Sequence, residues 1–139
     1  MDEKMQEAGK TIEDYLEAIL VLKHAQGYVR SVDLAAQLGI TKPSVSHAVK
    51  RMKEKGYITT DHANMLILTE SGRAIAEETY RRHRKLAEFF MQLGVGETQA
   101  QMDACKVEHD LSQETFAALC RYVDKTLRTP AEKQDGCGG

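Results

Sequence analysis

Residues 31–57 read SVDLAAQLGITKPSVSHAVKRMKEKGY, and this stretch decides the predicted fold. Ser31 is the predicted N-cap of a short helix that ends at Gly39, where a glycine permits a tight turn. Thr41 then caps a second helix, and Pro43 lies in its first turn, where a missing N–H costs nothing. Two helices joined by a glycine-containing turn of this length form a helix-turn-helix unit.

The segments on either side extend this unit into a winged helix-turn-helix domain. Upstream, Thr11 and Asp14 form a capping-box-like start, and apolar residues then recur at helical spacing up to Gly27. Downstream, the segment YITTDHANMLIL at residues 57–68 predicts two short strands around an Asp-His-Ala-Asn turn. A hairpin at this place is the wing that follows such a unit, and we assign the whole domain to residues 1–70.

The segment around the second helix is basic, although the whole chain has a net charge of −2. Residues 28–60 hold six lysines and arginines against two acidic residues, which favours a polyanionic partner. The second helix of such a unit places its N-terminal side chains against base edges, while long cations contact phosphates. The alternative is a helical hairpin with a solvated basic face. The predicted DNA-binding residues are Arg30, Lys42, Ser44, Ser46, His47, Lys50, Arg51 and Lys53.

Three further helices are predicted in the second half of the chain. The first runs from Thr69 to about Leu93, which is the last residue of an inward apolar stripe. A glycine-containing break follows, and the second runs from about Glu97 to Leu111. Ser112 is the predicted N-cap of the last helix. The predicted fold class is therefore mainly α with a small β-wing, an N-terminal winged helix-turn-helix followed by an all-α domain.

The length and composition suit a small globular protein without a membrane segment. The chain has 139 residues, of which 42% are hydrophobic, and no apolar run approaches the roughly 18 residues needed to span a bilayer. The N-terminus is too polar for a signal peptide, and three cysteines at uneven spacing predict reduced thiols. We expect a cytoplasmic protein with an all-α domain over residues 71–128 and a flexible, polar tail over residues 129–139.

A possible ligand face lies on the second of these three helices. Cys105, Glu108 and His109 occupy positions i, i+3 and i+4, a spacing that presents three metal donors from one helix turn. The segment around them is acidic, with five acidic residues against one lysine over residues 97–114, so a solvated helix face is the alternative. The sequence contains no glycine-rich phosphate loop, nucleophile elbow or HExxH motif, and we do not expect an enzyme.

With these motifs placed, the chain resembles the diphtheria toxin repressor and manganese transport regulator family of metal-dependent repressors. The resemblance covers about residues 11–127. It rests on DYLE at residues 14–17, RRH at residues 81–83 and ACKVEHDLS at residues 104–112, which recur in that family in this order with similar spacing. It implies a divalent metal site that joins a DNA-binding domain to a helical metal-binding and dimerisation domain.

The ligand set that the resemblance implies combines features of the iron-responsive members and of the manganese regulators. Cys105 agrees with the iron-responsive members, whereas Asp14 agrees with the manganese regulators. A thiolate favours softer ions and several carboxylates favour Mn(II) or Fe(II), so we expect Mn(II) or Fe(II), with Zn(II) and Co(II) as alternatives. Ala87 and Gln101 depart from residues that build a second metal site in some members. The implied ligands are Asp14, Glu17, His83, Cys105, Glu108 and His109.

The implied function is a cytoplasmic homodimer that binds a palindromic double-stranded DNA operator only when metal is bound, and that controls metal-uptake genes. No small-molecule substrate and no membrane partner are expected. One rival is a winged-helix regulator gated by a small organic ligand or by oxidation of Cys105. Another is a metal-dependent hydrolase, which would need an open coordination position beside a pocket. On periodicity alone, His83 would be a packed core residue, and Asp14 and Glu17 would be ordinary helix-start carboxylates.

Overall fold

A computed structural model describes residues 11–127, and the predicted tail lies outside them. This part of the chain forms six helices and one two-stranded sheet, which confirms the predicted fold class. None of the described helices is both long enough and apolar enough to cross a membrane. The elements are α1 (Ile12–Gln26), α2 (Ser31–Leu38), α3 (Lys42–Glu54), β1 (Ile58–Thr60), β2 (Leu66–Leu68), α4 (Glu70–Gln92), α5 (Glu97–Glu108) and α6 (Gln113–Leu127).

The chain divides into two compact units, and the division falls inside α4. Unit 1 extends to Tyr80 and unit 2 begins at Arg81. The sequence-based domain assignment, with its boundaries at residues 70 and 128, stays a prediction.

The ends of α1 are set by the residues that the sequence predicts. The Asp14 N–H donates to Thr11 Oγ1 over 3.2 Å, and the Thr11 N–H donates to Asp14 Oδ2 over 3.0 Å. This reciprocal capping box satisfies two N–H groups that would otherwise have no partner at the start of a helix. At the other end Gly27 adopts a left-handed φ of 87°, so the predicted start and stop of α1 are confirmed.

The helix-turn-helix unit of α2 and α3 is confirmed, with one correction at its start. Arg30, and not Ser31, is the N-cap of α2, because the Asp33 carboxylate accepts the Arg30 N–H over 2.9 Å. Gly39 ends α2 with a left-handed φ of 66°. Thr41 caps α3 as predicted, and its hydroxyl accepts the Ser44 N–H over 3.3 Å.

The wing is a short antiparallel hairpin. Strands β1 and β2 pair in the register Ile58↔Leu68, Thr59↔Ile67 and Thr60↔Leu66. The turn between them is closed by Asp61, whose Oδ1 accepts the N–H groups of Ala63 and Met65 over 2.8 and 3.0 Å. These two bonds lower the pKa of the Asp61 carboxyl below its ordinary value.

The core of unit 1 brings α1, α2, α3 and the wing together. Apolar side chains recur at helical spacing in the three helices and at alternate positions in the strands, so each element contributes one face. The largest fully buried side chains of this core are those of Leu16, Ile19, Val29, Leu34, Val45, Met52 and Ile58.

Unit 2 has a separate core, in which two predicted details are wrong. Leu93 is 65% exposed, because α4 ends at Gln92 and the chain turns at Gly94, with a φ of 103°, so that Val95 packs against the core. Helix α5 ends at Glu108 and not at Leu111. The predicted cap at Ser112 is confirmed, since its hydroxyl accepts the Thr115 N–H over 3.1 Å. The buried apolar residues of unit 2 are Leu86, Ala87, Ala100, Ala104, Phe116 and Val123.

Candidate metal centre and DNA-binding surface

The predicted DNA-binding residues of α3 form its solvent-facing side. Val45, Ala48 and Met52 are buried in the core, and the intervening polar positions therefore point outward. Ser44 differs from the others, because it is half-buried and its Oγ accepts a hydrogen bond from Thr41 Oγ1 over 2.9 Å. The exposed members of the predicted set on this helix are Lys42, Ser46, His47, Lys50, Arg51 and Lys53.

Arg30, the predicted DNA-binding residue outside α3, is paired with an acidic neighbour. Its Nε and Nη2 donate to the two carboxylate oxygens of Asp33 over 3.1 and 3.2 Å. Its guanidinium also lies 5.5 Å from the centre of the Tyr28 ring. The hydrogen bonds from Arg30 lower the pKa of the Asp33 carboxyl, and the pKa of Arg30 is raised in turn. Arg30 would therefore have to share its charge between Asp33 and a phosphate.

The end of α3 is linked to the wing and to the start of α4 by hydrogen bonds. Lys53 Nζ donates to Thr60 Oγ1 over 3.5 Å. The Gly56 carbonyl accepts hydrogen bonds from the hydroxyls of Thr69 and Ser71, over 2.7 and 3.2 Å. The position of the wing thus depends on the first residues of α4 as well as on α3.

Two of the predicted metal ligands, Asp14 and Glu17, lie on α1 in unit 1. Asp14 is 3% exposed, which is unusual for a carboxylate, and one of its oxygens serves the capping box with Thr11. Glu17 is half-buried one turn further along. The helix-start role of Asp14 is confirmed, and its role as a metal ligand stays a prediction.

The other four predicted ligands lie in unit 2. His83 is half-buried on α4, Cys105 is half-buried on α5, and Glu108 and His109 lie at the C-terminal end of α5. Glu108 is 2% exposed, and its Oε1 lies 3.6 Å from Nε2 of His109. Two donors bound to one ion at about 2.1 Å are roughly 3–3.5 Å apart, so this pair is close to the separation that a shared ion requires.

A hydrogen bond defines the chemistry of the His83 ring. Its Nε2 lies 2.9 Å from the carbonyl oxygen of Gln101, and a nitrogen next to such an acceptor carries the proton. In a neutral imidazole the lone pair then belongs to Nδ1, which is the atom able to bind a metal. Histidine ligands commonly donate their other N–H to a backbone carbonyl in this way. The sequence does not reveal this bond, because its partners are 18 residues apart.

Arg82, which the sequence does not single out as a site residue, binds the Glu108 carboxylate. Its Nε lies 3.5 Å from Oε2 of Glu108, and its Nη2 donates to the Glu108 carbonyl oxygen over 3.0 Å. That carbonyl would otherwise accept a hydrogen bond from residue 112 in a longer helix. The bond from Arg82 therefore satisfies one of the carbonyl groups that are left without a helical partner at the end of α5.

Among the described residues, neither His83 nor Cys105 lies in a group of three donors within 4.8 Å of one another. By donor type, the predicted ligand set of unit 2 still suits a divalent transition metal. It combines two imidazoles, one carboxylate and one thiol, the ligand types that bind Mn(II), Fe(II), Co(II) and Zn(II). Cys120 is a different kind of thiol. It packs against the core of unit 2, and burial raises its pKa. A thiol that keeps its proton is a poor ligand, because metals bind the thiolate.

Family models match both halves of the chain. The model for the iron dependent repressor N-terminal DNA binding domain matches residues 7–66. The model for the iron dependent repressor metal binding and dimerisation domain matches residues 69–135.

Individual proteins show the same similarity. Transcriptional regulator MntR of Salmonella typhimurium is 36% identical over 114 residues, which are 82% of this chain and 73% of the relative. The solved structure of the metal-dependent transcriptional regulator MtsR gives a TM-score of 0.75 at 28% identity and covers 83% of this chain. A manganese-dependent transcriptional repressor in complex with manganese also gives 0.75, at 29% identity and 86% coverage. The matches cover 54% and 56% of these two solved proteins, so this chain spans just over half their length.

Proposed function

This chain belongs to the diphtheria toxin repressor and manganese transport regulator family of metal-dependent transcriptional regulators, and we propose that it is a metal-responsive repressor. In this proposal a cytoplasmic homodimer binds a palindromic DNA operator when Mn(II) or Fe(II) is bound, and thereby controls metal-uptake genes. The family consists of regulators and not of enzymes.

The proposed metal ligands in unit 2 are His83, Cys105, Glu108 and His109. The observation that carries this assignment is the buried Glu108 carboxylate, with its Oε1 3.6 Å from His109 Nε2. A buried carboxylate is costly without cations or hydrogen-bond donors. Arg82 Nε lies beside Oε2, and a bound divalent ion would supply positive charge at Oε1, beside His109. Asp14 and Glu17 are proposed as further ligands on the basis of the resemblance.

The choice of Mn(II) or Fe(II) rests on the mixture of donors. Carboxylate oxygens favour Mn(II) and Fe(II), whereas the Cys105 thiolate moves the preference towards Fe(II), Co(II) and Zn(II). Zn(II) binds such mixed sites more tightly than Mn(II) in free competition, so the physiological ion also depends on which metal is available.

The proposed DNA contacts are the exposed polar and basic residues of α3. Ser46 and His47 are short or planar side chains that suit base edges, whereas Lys50 and Arg51 suit phosphates. Two copies of this helix, one from each subunit of a homodimer, would read half-sites about one DNA turn apart, which requires a palindromic operator.

The proposed homodimer is supported by exposed apolar side chains in unit 2. Leu93, Tyr122, Met102 and Met91 are 65%, 57%, 51% and 39% exposed. Large apolar side chains in such number are commonly covered by a partner. A second copy of the chain is the partner that a symmetric regulator of a palindrome would use.

The decisive experiment measures DNA binding against metal concentration. A duplex selected from a random library in the presence of Mn(II) would be labelled, and anisotropy would be recorded while Mn(II), Fe(II) or Zn(II) is titrated with and without a chelator. We expect binding to require metal, and the selected sequences to be palindromic. DNA binding that is indifferent to all three ions would refute the proposal.

Two variants connect that response to the site. Glu108→Gln, which removes a proposed ligand charge with little change in volume, should abolish the metal response. Asp110→Asn is the matched control, since Asp110 is an exposed carboxylate two residues away and is not a proposed ligand. Equal responses from the two variants would remove Glu108 from the site. Loss of DNA binding on mild peroxide in the wild type, but not in Cys105→Ser, would instead favour the redox-gated alternative.

A further inference from the structure

We infer that Arg82 is a positioning residue for the metal site: it fixes the orientation of Glu108 and thereby sets the metal affinity of unit 2. This inference rests on the proposed function, because it assigns to Arg82 a role exerted through a proposed ligand.

A single guanidinium connects the three helices of unit 2. From α4, Arg82 contacts the carboxylate and the carbonyl oxygen of Glu108 at the end of α5. Its Nη1 donates to Gln113 Oε1 over 3.1 Å at the start of α6. Its Cζ lies 4.3 Å from the centre of the Phe116 ring, which is a cation–π contact with a buried aromatic side chain. These contacts span the turn that contains His109.

Burial makes this arrangement rigid. The side chains of Arg82 and Glu108 are only 13% and 3% exposed, so water screens their charges weakly. The planar guanidinium holds its N–H groups in a fixed geometry, and its Nε, Nη1 and Nη2 each contact a different group here. Nη2 and Nη1 bind the Glu108 carbonyl and Gln113, which fixes the guanidinium in place, so that Nε directs one oxygen of the carboxylate.

The two carboxylate oxygens of Glu108 face different partners. Oε2 faces Arg82 Nε at 3.5 Å, and Oε1 faces His109 Nε2 at 3.6 Å. The oxygen nearer to His109 is therefore the one directed towards a shared ion, and Glu108 would bind through that oxygen alone. Hydrogen-bonding partners of this kind orient metal ligands, and their loss commonly lowers metal affinity about 10–100-fold.

The test compares Arg82→Gln and Arg82→Lys with Arg81→Gln, all in the full chain. Arg81→Gln is the matched control, because Arg81 is adjacent, carries the same charge and lies 5.4 Å from the same Phe116 ring. Calorimetry with Mn(II) and with Co(II) would give the affinities. We expect a loss of about 10–100-fold for Arg82→Gln, a smaller loss for Arg82→Lys and little change for the control.

The visible absorption spectrum of bound Co(II) supplies a second readout, because it reports coordination geometry. If Arg82 restricts Glu108 to one oxygen, the Arg82→Gln spectrum should differ from that of the wild type, while the Arg81→Gln spectrum should not. A general loss of stability would lower the melting temperature of the metal-free protein without altering the spectrum of the metal-bound form.

A double-substitution cycle separates positioning from general destabilisation. If Arg82 acts through Glu108, Arg82→Gln should cause little further loss of Co(II) affinity in a Glu108→Gln background. Fully additive losses, or an Arg82→Gln variant with wild-type affinity and spectrum, would overturn the inference while leaving the proposed function intact. A wild-type protein that binds neither ion would overturn both.

Discussion

Gly72→Ala should destabilise this protein, although the same change in most helices is stabilising. Gly72 lies in the first turn of α4, and replacing a helical glycine with alanine usually gains about 1 kcal/mol. Here an added Cβ would lie 2.9 Å from the Tyr57 carbonyl carbon and closer still to its oxygen. Both groups are backbone, so no side-chain rotation can relieve the contact.

The size of the effect follows from what must move. Overpacking costs about 1–3 kcal/mol, and a steric conflict between two backbone segments belongs at the upper end. Displacing Tyr57 also strains the bond from the Thr69 N–H to the Tyr57 carbonyl, which measures 3.0 Å, at a cost of about 1 kcal/mol. After subtraction of the usual helical gain we expect a net loss of about 3 kcal/mol. This corresponds to a fall of about 12–24 °C in melting temperature for a unit of this size.

Calorimetric melting would measure this change, and DNA binding would give its functional consequence. Tyr57 immediately precedes β1, so the wing should shift and operator affinity should fall. The Co(II) isotherm, in contrast, should change little. Ala74→Gly at an exposed position of the same helix is the control, with an expected loss of about 1 kcal/mol from helix propensity alone. A higher melting temperature for Gly72→Ala would refute the reasoning.

Three other predictions concern charge, assembly and pH. Lys50→Ala should weaken DNA binding and reduce the slope of log K against log salt by about 0.9, as expected for one lost phosphate contact; an unchanged slope would exclude that contact. Leu93→Glu should shift the protein towards monomer in sedimentation, and an unchanged dimer would place the interface elsewhere. The pKa of Cys120 is raised in the folded state, so its contribution to stability is present below the ordinary thiol range and is lost as pH rises through the raised pKa. Cys120→Ala should therefore flatten the decline of unfolding free energy above a pH of about 9.

The ends of several helices could be predicted because the determining residues are neighbours. Thr11 and Asp14 close their capping box across three residues, and Thr41 caps α3 in the same way. Gly27 and Gly39 end α1 and α2 with left-handed backbone angles that other residues rarely adopt. Short-range hydrogen bonds and backbone sterics depend on the local sequence, and in these helices they produce the ends that the sequence predicts.

The predictions that failed lie where distant contacts compete with local patterns. The apolar periodicity of α4 predicted that Leu93 would face the core. Because the chain turns at Gly94, Val95 packs against the core instead. The helical pattern also predicted α5 to Leu111, whereas α5 ends at Glu108, and the Glu108 carbonyl accepts a bond from Arg82, which is 26 residues away. The N-cap of α2 was misplaced by one residue because Asp33 accepts the Arg30 N–H and also binds the Arg30 side chain.

The sequence by itself determined the winged helix-turn-helix, the succession of helices after it and the residue types from which metal and DNA ligands were chosen. Periodicity, caps and turns are short-range, so they can be read one segment at a time. Only the tertiary structure showed that Arg82 holds Glu108, that the Gln101 carbonyl defines the protonated nitrogen of His83, and that Gly72 lies against Tyr57. Each of these contacts joins residues 15–26 positions apart, and packing, which local patterns do not encode, decides which distant groups meet.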